Sequence, residues 1–491
     1  MINRREAVQA LSVLSTRFLL DWDDNSVSIS NPGTDWRMFQ KDLANTGSIR
    51  VDSIGEELEE EWVISYEEPI RSSPVVVSGQ AISVTTKGTI FSIDIKSGEE
   101  NWKVDLQGEV IASPAAVDRI VCIPIREGGN SSGSPDASTI IGLDYSNGEQ
   151  IWRKTIDNDI WASPSVKDEE IYVIDIQGKL YKINSRNGDL VGNWEFNSIQ
   201  VHSPAIEGDD IFVENNIGYI QSLDTSNEMN WSKGQEGPSH PPPSPGSSIT
   251  DAAISESAPI ESPVTISDDM VISTAMSSTV MARNKNSGEE MWEFSTFGDV
   301  LSSPSISGGS IFLGDSQGNV FSVNLKTGDE QWQVDLSSGV RSSPIVINDK
   351  LIVCNSREIY QLDTDDGSRF DSIDLGSRIF STPAVYRNYI LIGTDNGELR
   401  GIKFAAIDED DTVDEQGTTE NRTHDSTSDS QNESDTSKND GDPSISDTCG
   451  NIIDQAMDVG AISRVSSILG FLVGVIGTAM TYIIYKGKKD D

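Results

Sequence analysis

The sequence predicts an all-β fold: an eight-bladed β-propeller of four-stranded antiparallel blades, closed by an N-terminal strand and followed by one C-terminal transmembrane helix. Three observations predict it. A hydroxyl residue followed by proline recurs eight times, at Ser73-Pro74, Ser113-Pro114, Ser163-Pro164, Ser203-Pro204, Ser262-Pro263, Ser303-Pro304, Ser343-Pro344 and Thr382-Pro383. Tryptophan recurs once per unit, as Trp62, Trp102, Trp152, Trp194, Trp231, Trp292 and Trp332. Finally, the 21 residues Val465 to Tyr485 carry no charge, and at ~1.5 Å rise per residue a helix of that length spans a ~30 Å hydrocarbon core.

In chain order, residues 1–58 form an N-terminal segment in which Arg4-Arg5 precedes a short mixed stretch interrupted by Arg17, a degenerate export signal at best. Residues 59–404 hold the repeats, whose period near 40 marks a stacked array rather than independent domains. In the first unit, Val75 to Val77, Ala81 to Thr85, Ile90 to Ile95 and Trp102 to Leu106 read as strands. Ser78-Gly79, Lys87-Gly88 and Ser97-Gly98 read as the turns between them. A single such sheet leaves both faces exposed, and radial stacking buries them. The first Trp precedes the first Ser-Pro and the last unit ends at Phe404 without a Trp strand, so Glu60 to Tyr66 is expected to complete the eighth blade. The recurring Trp is expected to pack between blades. The slot around Phe370-Asp371 has no Trp, which predicts the loosest interface after the seventh blade.

Residues 405–464 are an acidic, Ser/Thr-rich stalk; Ile407 to Gly450 alone holds 14 Asp/Glu and 14 Ser/Thr, too polar to bury a core. Helix 465–485 follows, then the tail 486–491 with Lys486, Lys488 and Lys489. Lysines on that side place the C-terminus in the cytoplasm and the propeller outside. A tail-anchored protein with its bulk in the cytoplasm is the alternative. Asn130, Asn230, Asn421 and Asn432 stand in Asn-X-Ser/Thr sequons and are candidate glycosylation sites.

The repeats resemble the pyrroloquinoline-quinone (PQQ) type propeller repeat, with its Ala-x-Asp-x-x-Thr-Gly-x-x-x-Trp signature. Here it reads Ser92-Ile93-Asp94 with Ser97-Gly98 and Trp102, Gly142-Leu143-Asp144 with Asn147-Gly148 and Trp152, and Ser322-Val323-Asn324 with Thr327-Gly328 and Trp332. Trp36-Arg37-Met38-Phe39, Asp42 and Ala44-Asn45-Thr46-Gly47 resemble the lead-in found before such propellers. The resemblance implies the fold and leaves the role open among quinone-dependent dehydrogenases, an outer-membrane-assembly scaffold and other surface proteins.

Charge narrows the role. With 79 acidic against 36 basic residues, a formal charge of -43, the chain would repel nucleic-acid backbones, and acid spread throughout points to a salt-rich setting. Quinone dehydrogenases of this family carry an adjacent cysteine pair over the cofactor and a calcium beside a catalytic Asp. Cys122, Cys354 and Cys449 are far apart, and Asp363 with Asp365-Asp366-Gly367 lacks calcium-loop spacing. No enzyme activity, metal or cofactor is therefore expected; a dehydrogenase-like enzyme is the runner-up.

A binding or assembly role on the membrane is expected instead, with a protein or peptide partner on the loop face. That face carries the connections into each first strand, the second-to-third hairpins, and the insertions Arg126 to Ser138 and Lys233 to Ser257. Arg71, Trp161, Arg341 and Phe380, each three residues before a marker proline, with His202 and Glu261 one residue later, are expected to ring the funnel there. An aromatic and arginine mouth suits a carboxylate-bearing or peptide ligand.

Overall fold

The computed structural model describes residues 35–51, 54–126, 137–196, 202–215, 219–225, 228–233, 262–274 and 278–405. The stalk, the expected helix Val465 to Tyr485 and the cytoplasmic tail lie outside them, as do Asn130, Asn421, Asn432 and Glu261. Among the described residues no helix is long and apolar enough to cross a membrane.

Eight blades of four antiparallel strands follow one another, blade seven gaining Ser48–Ile49 as a short parallel fifth strand. Blade one shows the rule, with Val75–Val77 innermost, then Gln80–Val84, Thr89–Asp94 and, outermost, Glu100–Asp105. The inner strand is buried at every position, whereas the outer one alternates, because only its inward side meets a neighbouring blade. Leu58–Ser65 is the outer strand of blade eight and pairs antiparallel with Glu398–Phe404, Trp62 lying opposite Gly401. It begins two residues before the strand the sequence marked and ends one earlier.

The signature residues make one joint, repeated around the ring. A bulge before the Trp, between Ser92 and Ile93 in blade one, turns the indole toward the next blade. The indole Nε1–H of Trp62, Trp102, Trp152, Trp231, Trp292 and Trp332 donates to a backbone carbonyl of that blade at 2.6–3.0 Å. Its ring lies on the turn glycine there, Gly98, Gly148, Gly188, Gly288, Gly328 and Gly367 respectively, where an added Cβ would stand 2.6–2.8 Å from it. These glycines also have positive φ, so a side chain is excluded twice. The aspartate or asparagine opening the turn caps it, as Asp94 Oδ1 does for the N–H groups of Lys96 and Ser97.

Two interfaces depart from the rule. Trp194 sits two residues beyond the usual site, opposite Leu180, while Gly192 holds the Trp register; its spacing of ten rather than twelve residues to the marker proline was the sequence signal. It remains buried, stacked on Tyr172 and packed with Ile206 and Ile211 of blade four. In blade seven Asp371 holds the register and accepts the Leu58 N–H at 2.7 Å. Ile54 and Leu58 are buried in one core cluster with residues of blades seven, eight and one. At this interface, where the missing Trp predicts the loosest packing, the segment before blade one joins the core.

The Ser-Pro markers form an inner girdle. Ser73 N–H donates to Ser113 Oγ (2.9 Å), Ser113 to Ser163 (2.7 Å), Ser303 to Ser343 (3.2 Å), Ser343 to Thr382 Oγ1 (3.2 Å) and Thr382 back to Ser73 Oγ (2.9 Å). On the other side of the inner strands the lead-in runs as a belt. Each inner strand is a sheet edge whose central N–H faces the axis unpaired unless something meets it. The carbonyls of Trp36, Arg37, Leu43, Ala44, Thr46 and Gly47 accept from Val76, Ala116, Ile206, Ile266, Ile306 and Val346, at 2.7–2.9 Å.

Candidate functional site

The hydroxyl girdle sits where the connections enter the first strands, so the positions just before it line the mouth of the axis. Arg71, Arg341 and Phe380 come together there with Ser73, Ser113, Ser343 and Thr382, over Phe39 of the belt. The pocket they line holds about 20 Å³. Beside it, Arg341, Ser356, Arg378, Ile379 and Phe380 line an open cavity of about 180 Å³.

Charge at this mouth is ordered. Arg71 Nε donates to Asp395 Oδ1 at 2.7 Å and Arg378 Nη2 to Asp395 Oδ2 at 3.0 Å, so one carboxylate holds two guanidinium groups. Both pack against the Phe380 ring, 5.2 and 5.6 Å from its centre. Arg341 is exposed and makes no ion pair among the described residues. The three arginines outnumber the single aspartate, leaving a cationic, aromatic mouth on a strongly acidic protein. Arg378 was not singled out from the sequence, because it stands five residues before its marker proline rather than three.

The other predicted residues are placed elsewhere. Trp161 is half-buried at the same rim in blade three, four blades from Arg341, and its Nε1 is buried without a partner. His202 lies inside the wall, fully buried, where its Nδ1 accepts the Ser262 N–H at 3.1 Å across the blade four to five interface. Burial pushes its imidazole down to about 4, so it is neutral at ordinary pH. Glu214 lies buried at that same interface, accepting from the Ser273 hydroxyl, and burial pushes its carboxyl up to about 8. The Glu214–Ser273 contact had no signal in the sequence, since it exists only through blade stacking. Asn230, the one described sequon residue, is exposed on an outer strand and donates to Asp210 and Ser222. Cys122 and Cys354 are free, buried thiols on separate blades, both pushed up to about 12 by burial.

A family model described as outer membrane protein assembly factor BamB matches residues 36–153, 135–258 and 243–431, lead-in and blades together. The chain belongs to this PQQ-type repeat family. Among solved structures, BamB from Moraxella catarrhalis is similar at 15% identity and a TM-score of 0.56, over 71% of this chain and all (100%) of that one. The computationally designed Ika8 protein is similar at 14% identity and TM-score 0.57, over 70% of this chain and 98% of that one. Quinohemoprotein alcohol dehydrogenase from Comamonas testosteroni is similar at 11% identity and TM-score 0.61, over 77% and 82%. These likenesses carry the fold. No curated protein matches the sequence.

The pocket between Phe39, Arg71, Arg341 and Phe380 is smaller than an ordinary small-molecule site. It holds about 20 Å³, against ~300 Å³ or more for an ordinary small-molecule pocket.

Proposed function

We propose that this protein is a non-catalytic binding or assembly scaffold, held at the cell surface by a C-terminal transmembrane helix and presenting its propeller outside the cell. The observation that carries the binding role is Arg341, an exposed and unpaired guanidinium beside a cavity of about 180 Å³ shared with Arg378 and Phe380. A planar guanidinium over an aromatic face suits a carboxylate, and a protein or peptide partner offers one on an acidic side chain or at its C-terminus. The separation of Cys122 from Cys354 on different blades and the small pocket between Phe39 and Phe380 support a role without quinone chemistry.

The test is capture of a carboxylate-bearing partner by the full-length chain and by Arg341→Glu. Because Arg341 supports no described contact in the wall, the variant should fold normally and bind about tenfold more weakly or worse. Equal capture by both would remove the mouth as the binding site. Alcohol oxidation by the purified chain supplied with quinone and calcium would favour the dehydrogenase reading instead.

A further inference from the structure

A cavity of about 500 Å³ lies on the opposite face from the arginine mouth, where the first-to-second strand hairpins turn. Its cause is a gap in the belt. Between Arg37, bonded to blade two, and Leu43, bonded to blade four, residues 38–42 fold on themselves, with the Lys41 N–H donating to Met38 and the Asp42 N–H to Gln40. Among the described residues no lead-in carbonyl reaches the inner strand of blade three. That strand, Ser165–Lys167, pairs Lys167 with Glu170 next to the hairpin, so the central Val166 N–H and C=O point away from the sheet. Val166 lines the cavity with Ala116 and Val117 of blade two, and among the described residues no backbone partner meets its outward edge.

Blade one shows what such an edge accepts. There Trp36 N–H donates to Val76 C=O at 3.0 Å and Val76 N–H to Trp36 C=O at 2.7 Å, a one-residue strand addition. The charges around the gap define the second half of the ligand. Asp35, Asp42, Asp118 and Asp168 face Arg37 and Lys41. Both cations are engaged, Arg37 by Asp35 at 2.8 Å and Lys41 by the Ser48 carbonyl at 2.5 Å. Asp118 has only a long contact to exposed Arg186, at 3.7 Å, and Asp168 is exposed at its hairpin.

We propose that this gap is a second binding site, taking an extended, basic peptide segment of a partner protein that exchanges main-chain hydrogen bonds with Val166 as Trp36 does with Val76, and sets an arginine or lysine against Asp118 and Asp168. Backbone pairing supplies the affinity and the acidic rim the choice of sequence.

The test uses the full-length chain and a fluorescently labelled peptide, acetyl-Thr-Val-Arg-Val-Thr-amide, followed by anisotropy. Binding should saturate, weaken about tenfold in the Asp118→Asn, Asp168→Asn double variant, and weaken at least as much when the peptide amides are N-methylated. Both aspartates are at exposed hairpin positions, and the N-methylated peptide needs no change in the protein. Arg341→Glu should leave this binding unchanged, which separates the site from the mouth on the other face. Absence of binding, or equal binding of the N-methylated peptide, would overturn the proposal. So would equal binding of a peptide with glutamate for arginine. Binding seen only after removal of residues 1–34 would also overturn it, assigning the gap to the chain's own N-terminal segment.

Discussion

Ser73 shows how much one hydroxyl can carry in a closed ring: its Oγ accepts the Thr382 N–H from the last blade while its own N–H is given to Ser113. Ser73→Ala leaves a buried N–H unmet and should cost about 1–3 kcal/mol in denaturant unfolding. Loss from Trp102→Ala should be larger, about 3–5 kcal/mol, because a buried indole and its bond to Tyr145 go together. Two buried groups between blades four and five set a pH profile. The Glu214 carboxyl stands near 8 against an ordinary 4.5, so between those values only the folded state keeps the proton and stability falls as pH rises. His202 stands near 4 against an ordinary 6.5, so it contributes the opposite slope, stability rising from about 4 to 6.5. Together they give a plateau between about 4.5 and 6.5 and a decline from there to about 8. Glu214→Gln should remove the decline, melting above the parent at pH ~8.5; superimposable melting curves there would place the decline in other groups.

Strands behave as parts of a loop rather than as separate pieces. Leu58–Ser65 pairs along the whole of Glu398–Phe404, and its Trp62 then locks onto Ile95 and Gly98 of blade one. Deleting Glu59 to Tyr66 opens the ring at two places, an unpaired edge on blade eight and a missing joint to blade one. A single cooperative transition at lower denaturant is the expected result, whereas a mild loss confined to one blade would contradict closure by this strand. The belt is a different kind of element, with hardly any secondary structure beyond Ser48–Ile49, parallel to Ile345–Ile347. Its work is to meet six inner edges with carbonyls.

For the whole molecule, a formal charge of -43 leads us to expect a compact state that depends on screening. Lowering salt to the millimolar range should unfold the propeller, followed by circular dichroism; full stability there would reject the salt-rich setting. Topology has an equally direct check, protease treatment of intact and lysed cells scored with an antibody to Lys233 to Ser257. Digestion on intact cells supports the surface scaffold, and protection until lysis makes this a cytoplasmic membrane-tethered platform.

The repeat itself was legible because each blade solves the same local problem with the same residues: Gly where φ is positive, Asp or Asn where a turn needs a cap, Trp where the next blade must be met. Blade number and strand order follow from counting these marks. What was not legible depends on residues far apart in sequence meeting across the ring. Asp371 replaces an indole only because Leu58 arrives 313 residues earlier in the chain. The marker hydroxyls form a girdle only because the ring brings distant blades together, and Arg378 meets Arg71 only because Asp395 and Phe380 lie between them. His202 carries a residue type that suits a funnel, yet stacking buried it in the wall. Local chain stiffness and hydrogen-bonding chemistry determine the blade from sequence alone; which side chains share a cavity is decided by closure, which sequence distance does not encode.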